Sequence, residues 1–574
     1  MIKLKKNGFM AKKYKSLLIA SLLGWLVSLI GSLSDSVLAG ILISEDAVGA
    51  VELVAPLFNI LMFFASLLAV GISTLFSIYQ GTFDEEKAAR VNGMGIVVAI
   101  VSGLVFTILM LVLKNTYFSF YGSSGSIDVL GREYYSCFYL LAFSYPIYWL
   151  LYYLVSSDGD DKNVLLCDVI TAISNPIFSL FLASKFGIRG LGYGTVISNM
   201  VTVIFLAAHF TKKNNSIKFR LCFSMSEFTK VCAIGSSISL TQIYLAVVDI
   251  VMNKLIIMRF GSEYLAAYAV VNLVLNFGGC FSCSIDAASP FITVAYGEKN
   301  YVTQRSIVQF SMKYAAMLGV AFTITEFLLA GVLPQLFGIS NPEIYATAVY
   351  AGKVLAFLNL GLTFECALSS YYPKIGQTLL GNLYSVTYSL IAPIVLVLLL
   401  SNIGGFYGMV WGFFLSPYVT LLLGYIFVCI KYGKKMYPFM IKETEDKIYV
   451  YELDITEEEI IALNKVVKEN LENCNIDETI INQVQLMLEE TLMIVKDKNA
   501  QSKKTISADC SLIVNNENVR LITRDNGIIF DITDVNSKIN SLREYVTSRL
   551  IETNSNAKYL TTISFNRNSF IWER

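Results

Sequence analysis

Phe186–Ser198 reads FGIRGLGYGTVIS, and Gly404–Ser416 reads GGFYGMVWGFFLS. Gly187, Gly190, Gly194 and Ser198 of the first stretch recur as Gly405, Gly408, Gly412 and Ser416 of the second, at a constant offset of 218 residues. The same offset carries Ser44-Glu45 onto Ser262-Glu263, and Asp35 onto Asn253. Sites so far apart keep one offset only if a whole multi-helix unit has been duplicated. In an apolar chain such a duplication points to transport, because two matched halves can rock about a central site.

The 574 residues are 55% hydrophobic and only 15% charged, with a mean hydropathy of +0.59. Average globular proteins carry roughly 25% charge. The shortfall lies between about residues 17 and 432, where apolar runs approach the roughly 20 residues that cross a bilayer. From residue 445 the chain is rich in Glu, Lys, Asp and Asn. The expected fold is an all-α polytopic membrane protein, two six-helix lobes in a parallel pseudo-twofold repeat, followed by a C-terminal α/β two-layer soluble domain. The expected boundaries are a basic tail at 1–16, a first lobe at 17–212, a linker at 213–230, a second lobe at 231–432 and the soluble domain at 445–574. About twelve spans are expected. An even number in each half makes the halves point the same way, with a cleft between them.

Lys3, Lys5, Lys6, Lys12, Lys13 and Lys15 precede the first span, HFTKKNNSIKFR joins the halves, and KYGKKMYP follows the last span. Positive segments stay inside. Both termini are therefore expected in the cytoplasm of a multi-pass protein of the plasma (inner) membrane. The apolar stretch after the basic tail outruns a signal-peptide core, so it reads as a true first span.

Ten cysteines are scattered, and the one close pair, Cys280/Cys283, lacks the second ligand pair of a metal site. Its glycine and serine neighbours suit helix packing. The single histidine, His209, stands beside Lys212 and Lys213 and reads as part of a basic loop. One histidine leaves little for metal or triad chemistry, and no GxxxxGK[ST] loop is present for an ATP-driven pump. No enzyme activity, cofactor, metal or nucleic-acid partner is expected. The expected partners are the lipid bilayer and a small organic molecule.

Ionisable groups inside spans are costly and usually functional. Asp35, in SLIGSLSDSVLAG, lies well inside an apolar run and is the first candidate for a proton or cation site. Asp249, Asp286, Glu326 and Glu365 are further acids within apolar stretches. Asn175-Pro176 and Ser289-Pro290 interrupt two predicted helices, because proline removes a backbone donor. Such breaks either line a cavity or are tolerated kinks.

Residues from about 15 to 432 resemble the multidrug and toxic compound extrusion (MATE) family of the flippase superfamily. The segments that carry the likeness are SDSVLAGILISEDAVGAVEL, SIYQGTFDEEKAARV, SSDGDDKN and FGIRGLGYGTVIS, echoed by MRFGSEYLAAYAVVNLV, VAYGEKN and GGFYGMVWGFFLS. The resemblance implies a secondary exporter of amphipathic or cationic organic compounds, exchanging them for H+ or Na+. It places cation coupling at Asp35, Asn175 and Ser179. Ser179 stands where relatives have a second carboxylate. In the second half, relatives also place an acid where Glu365 stands, while Asp249 and Asp286 are candidate acids by their place in apolar stretches. Two other readings remain open: a lipid or polysaccharide-precursor flippase, and a membrane-anchored signalling or scaffold protein with a vestigial transport core. The spans hold few basic residues for binding phosphates, Lys254 and Arg259 at one span end being examples, which favours neutral or cationic substrates.

Beyond residue 445, IYVYELDI predicts a strand. TEEEIIALNKVVKENLEN predicts an amphipathic helix capped by Thr456 and Glu459. DETIINQVQLMLEETLMIVKDKN predicts a second helix. A hairpin turning at Asn515–Asn518, a helix near 535–552 and strands KYLTTISFN and SFIWER complete the unit. This region resembles a histidine-kinase-like ATPase fold of anti-sigma-factor type, through MLEETLMIV with Glu489-Glu490 and RDNGIIFD with Asp525 and Gly527. The likeness implies a degenerate nucleotide site around Glu490, Asp525 and Gly527. Ile494 replaces the Mg2+-holding asparagine, and ISFNRN stands where a glycine-rich lid is expected. Those departures imply weak nucleotide binding, a cytoplasmic protein partner, or a cap over the cytoplasmic cavity, rather than ATP hydrolysis.

Overall fold

Backbone groups in lipid find no water, so apolar spans must satisfy them internally as helices. The computed structural model describes the chain apart from residues 1–8, 82–83, 159, 213–214, 216, 277–278, 299, 434–446, 502–504, 529–549, 554–565 and 574. The first half comprises α1 (Phe9–Leu42), α2 (Glu45–Gly81), α3 (Glu85–Tyr121), α4 (Ser126–Ser157), α5 (Asp161–Phe186) and α6 (Ile188–Ala207). The second comprises α7 (Met225–Arg259), α8 (Tyr264–Asn276), α9 (Gly279–Gly297), α10 (Tyr301–Leu329), α11 (Leu333–Leu336), α12 (Pro342–Ala356), α13 (Leu358–Lys374), α14 (Thr378–Val386) and α15 (Ala392–Lys431). The outer surface is apolar: α3 alone exposes Val101, Leu104, Val105, Ile108 and Val112. On a soluble protein such a band would be an aggregation surface; here it suits lipid.

Among the described residues, nine helices are long and apolar enough to cross a membrane, or ten if the pair Pro342–Ala356 and Leu358–Lys374, bent by 49°, forms one span. The expected twelve are not reached by that count, for two reasons. Thr378–Lys431 runs as one stretch of 54 residues. It is interrupted at Gly405, whose backbone is non-helical (φ 59°, ψ −139°). Among the described residues of α1, the apolar run is Tyr14–Leu26, which is shorter than a span.

Gly187 adopts φ 58°, ψ −138°, nearly the conformation of Gly405, 218 residues later. A side chain is strained there, so glycine is required. The packing repeats as well. A Cβ on Gly190 would lie 2.2 Å from the Leu182 carbonyl oxygen, and one on Gly408 would lie 2.0 Å from that of Leu400. Gly194 presses on Ser179, and Gly412 on Val397. The duplicated glycines thus let α6 close on α5, and the end of α15 close on its beginning.

The halves meet along α2 and α7. On the face where α2 begins, Glu45 accepts from the backbone amides of Ser340 and Asn341 at 3.1 and 3.3 Å. On the opposite face Tyr79 donates to Glu227 at 2.7 Å, and the Tyr14 and Ser284 hydroxyls lie 2.7 Å apart. That second face also carries the C-terminal region and is termed the tail face below.

The C-terminal region is an antiparallel sheet in the order β1-β2-β3-β5-β4, with two helices. Its strands are β1 (Lys447–Asp454), β2 (Ser507–Val514), β3 (Asn518–Asp525), β4 (Leu550–Thr553) and β5 (Asn566–Glu573). Helices α16 (Glu457–Glu472) and α17 (Glu478–Lys498) pack through Ile460, Val467, Val484, Leu488 and Leu492 on Ala508, Cys510, Leu512 and Leu521. Thr456 caps α16 at the Glu459 amide, 3.3 Å away, while Glu459 reaches back to the Asp454 amide at 2.8 Å. The hairpin turns where the sequence places it, with Asn515 Oδ1 accepting the amides of Glu517 and Asn518. The closing elements differ. Residues 550–552, expected to end a helix, are strand, and the rest of that predicted helix lies outside the described residues. KYLTTISFN also lies outside them, except Asn566, which opens β5. Arg567 and Asn568 are therefore paired strand residues.

Candidate functional site

Asp35 sits in α1 and faces α4, α5 and α6. Tyr134 of α4 donates its hydroxyl to Asp35 Oδ2 at 2.6 Å, and Thr195 of α6 donates to the same oxygen at 2.7 Å. Ser179 of α5 approaches Oδ1 at 3.4 Å. Its hydroxyl also lies 3.1 Å from Asn175 Oδ1, which in turn is 3.3 Å from Thr195 Oγ1. Asp35 and Asn175 are each 7% exposed and Ser179 is inaccessible. Asp35, Asn175 and Ser179, singled out in the sequence, thus converge on one knot.

Local sequence explains the convergence. Asn175 and Ser179 are four apart and share a helix face. Gly194, with no Cβ, lets α6 press onto Ser179 and brings Thr195 to the carboxylate. Pro176 is accommodated within α5 without ending it. A carboxylate has about four lone-pair positions, and the hydroxyls of Tyr134, Thr195 and Ser179, with that of Ser34 from α1 itself, address them here. Each hydroxyl can donate or accept, so the same shell can hold a carboxylate, a protonated carboxyl, or a carboxylate with a bound cation.

Tyr134 and Thr195 were not singled out in the sequence. A tyrosine among many aromatics and a threonine one residue past Gly194 carry no signal until the helices assemble. Glu52 was also passed over, although it is an acid in the apolar run GAVELVAPLF. In α2 it is buried, with Asn272 donating to its carboxylate at 2.8 Å and Asn253 donating to its backbone carbonyl at 3.0 Å. Asp249 in α7 is nearby in the same seam, accepting from Asn59 at 2.8 Å and from Tyr268 at 3.4 Å. This second knot lies between the halves, and Asn253, the counterpart of Asp35, belongs to it.

The other sequence candidates are dispersed. Asp286 pairs with Lys374 at 3.0 Å and is half exposed. Glu365 is buried in α13, and Glu326 accepts from Asn359 at 2.6 Å. Lys254 is turned to the carbonyls of Phe120 and Tyr121. His209 departs from the expected basic loop. It is buried, with its two ring nitrogens each 2.7 Å from a carboxylate, Asp158 and Asp160. The acids of DGDDKN draw it inward, and Lys212 joins Asp160 at the rim.

In the C-terminal region Asp525 Oδ1 accepts the Gly527 amide at 2.9 Å, closing a tight turn at the end of β3. A Cβ on Gly527 would lie 2.5 Å from Asn499 Nδ2, so the turn packs against the end of α17. Glu490 is half-buried on α17, and its neighbour Glu489 accepts from Asn464 at 3.0 Å.

The MatE family model matches residues 20–181 and again residues 237–399. Two relatives are named for drug export or resistance. Multidrug export protein MepA of Staphylococcus haemolyticus (strain JCSC1435) is 24% identical over 434 residues, covering 71% of this chain and 90% of the relative. Probable multidrug resistance protein YoeA of Bacillus subtilis (strain 168) is 24% identical over 349 residues, covering 57% and 73%. A solved inward-facing multidrug resistance MATE family transporter superposes with a TM-score of 0.64 at 21% identity, covering 71% of this chain and 95% of that one. A MOP superfamily transporter from Pyrococcus furiosus superposes with a TM-score of 0.58 at 20% identity, covering 75% and 98%.

Proposed function

Since the chain belongs to the MatE family, we propose that its membrane region is a secondary exporter of amphipathic or cationic organic compounds, driven by H+ or Na+ moving the other way. The observation that carries this reading is the Asp35 knot. One buried carboxylate ties α1 to three helices through hydroxyl groups that tolerate either loading state. Loading a proton or a cation there redistributes hydrogen bonds on α4, α5 and α6 together. A change of ion occupancy is thereby felt across the first half. The relatives named for multidrug export support the substrate class.

On this reading the chain forms twelve spans in two parallel lobes, with both termini in the cytoplasm and the tail face inward. The C-terminal region is a regulatory domain of degenerate nucleotide-binding type and does not hydrolyse ATP. Isothermal titration of the full chain with ATP and Mg2+ tests that point, and tight binding would overturn it.

The deciding experiment is export of ethidium from liposomes holding the purified protein, under an imposed proton or sodium gradient. Asp35→Asn is expected to insert and unfold like wild type but to lose gradient-driven export. Export by the variant at the wild-type rate removes Asp35 from the mechanism.

A further inference from the structure

All eight residues of β2 are buried. A two-layer α/β unit covers one face of its sheet with helices and leaves the other to water. In β2, Ala508, Cys510, Leu512 and Val514 face α16 and α17. The alternate residues Asp509, Ser511 and Ile513 point the other way, yet none is more than 5% exposed. Ile522 and Arg524 on β3 lie opposite Ser511 and Asp509 in register and are equally buried.

The membrane region covers this second face. Arg524 bridges Asp509 of its own sheet and Glu298 of the α9–α10 turn, and all three side chains are at most 4% exposed. Two residues further on, Asn300 donates to Ser511 Oγ at 3.0 Å. β2 also touches α1, and β1 touches α10. The sheet therefore rests on helices from both halves, at the ends that must separate if the halves open on the tail face. One guanidinium holds both buried carboxylates, so the two contacts fail together. Removing it takes a buried cation from both acids at once, which is strongly destabilising.

We propose that the C-terminal sheet is a clamp on the membrane region, pinned by Arg524 between Asp509 and Glu298, and that its release frees the two halves to move apart on the tail face. The surface is intramolecular: its occupant is this chain's own sheet. Only the effect of release on export rests on the exporter reading.

The test uses the full chain in lipid nanodiscs and liposomes. In Arg524→Gln, hydrogen exchange is expected to rise at least tenfold in β2 and at the tail-face ends of α1 and α9, with α16 and α17 unchanged. Ethidium export is expected to be several-fold faster. Should that variant fail to fold, Glu298→Gln, which leaves Arg524 paired with Asp509, serves in its place. In the converse test, Asn300→Cys with Ser511→Cys, in a Cys222→Ser background, is expected to stop export when oxidised and recover it when reduced. Unchanged exchange in β2 overturns the dock. Raised exchange with unaltered export, or an oxidised pair that exports at the reduced rate, overturns the clamp. If wild type moves no ethidium, the exporter reading falls. The clamp then stands or falls on whether exchange at the ends of α1 and α9 rises in Arg524→Gln.

Discussion

Asp35 holds its place through neighbours that can be removed one at a time. Tyr134→Phe deletes a 2.6 Å donor and Thr195→Val a 2.7 Å donor to the same oxygen. Taking one hydrogen bond from a buried charged group costs about 1–3 kcal/mol. Each variant is expected to unfold at a lower temperature in detergent and to export ethidium at least several-fold more slowly. Unaltered stability and rate in both would show that the knot is not a working unit. The repeat supplies a natural comparison. The positions 218 residues beyond Asp35, Ser179 and Thr195 are Asn253, Val397 and Phe413. The second half shares the glycine packing of the first but carries no hydroxyl at the positions matching Ser179 and Thr195. Asp35 was legible as an acid within an apolar span, and Ser179 only through the family resemblance, as the place of a missing carboxylate. Tyr134 and Thr195 were not, because a hydroxyl shows its purpose only beside the acid it serves.

Helix contacts carry predictions of their own. A methyl group on Gly190 or Gly408 would strike a backbone carbonyl at 2.2 or 2.0 Å, and backbone yields less easily than a side chain. Gly190→Ala and Gly408→Ala are each expected to lose about 1–3 kcal/mol, the usual cost of overpacking. Comparable losses in thermal unfolding would mark the two sites as equivalents; a tolerated substitution at either would break the parallel. On the tail face the linker is tied to α3 by Lys218–Glu85 and Arg220–Glu86. The hydrogen bond from Lys218 holds Glu85 below the usual carboxylate range, and that from Arg90, aided by Arg220, does the same for Glu86. A depressed acid stabilises the folded form above its ordinary value of about 4.3 and loses that contribution as pH falls further. These pairs are exposed, so salt also weakens them. Protection of the Arg220 amide, which donates to the Ala89 carbonyl at 2.9 Å, should fall, relative to the intrinsic exchange rate at each condition, in high salt and below about pH 4.3. Indifference to both would show that the ion pairs do not hold the linker.

For the whole molecule, the docked sheet and the membrane region meet through Arg524 and Glu298 and through Asn300 and Ser511. Deleting residues 434–574 is expected to leave a protein that inserts and exports ethidium faster than the full chain, under whichever gradient drives it. Slower export by the truncated chain would make the sheet a required part of the transporter. Running the same assay under proton and sodium gradients separately identifies the coupling ion. The duplication made the membrane architecture readable, because each half had to keep its glycine turns. The number of spans was less readable. Gly405 interrupts a continuous 54-residue stretch, and α12 and α13 meet at a 49° bend.

The sequence alone determined that the chain crosses a membrane repeatedly, that its halves share one plan, and that a mixed α/β region follows. Hydropathy and an invariant offset are properties of the chain and need no folding to be seen. The family resemblance, rather than any local pattern, grouped Asp35, Asn175 and Ser179. The tertiary structure decided what surrounds them and where the last region goes. Tyr134 and Thr195 reach Asp35 from helices 99 and 160 residues away in the chain, and Arg524 reaches Glu298 across 226. No local pattern records such pairings, because they exist only where packing excludes water and a charge must find its partner across the fold.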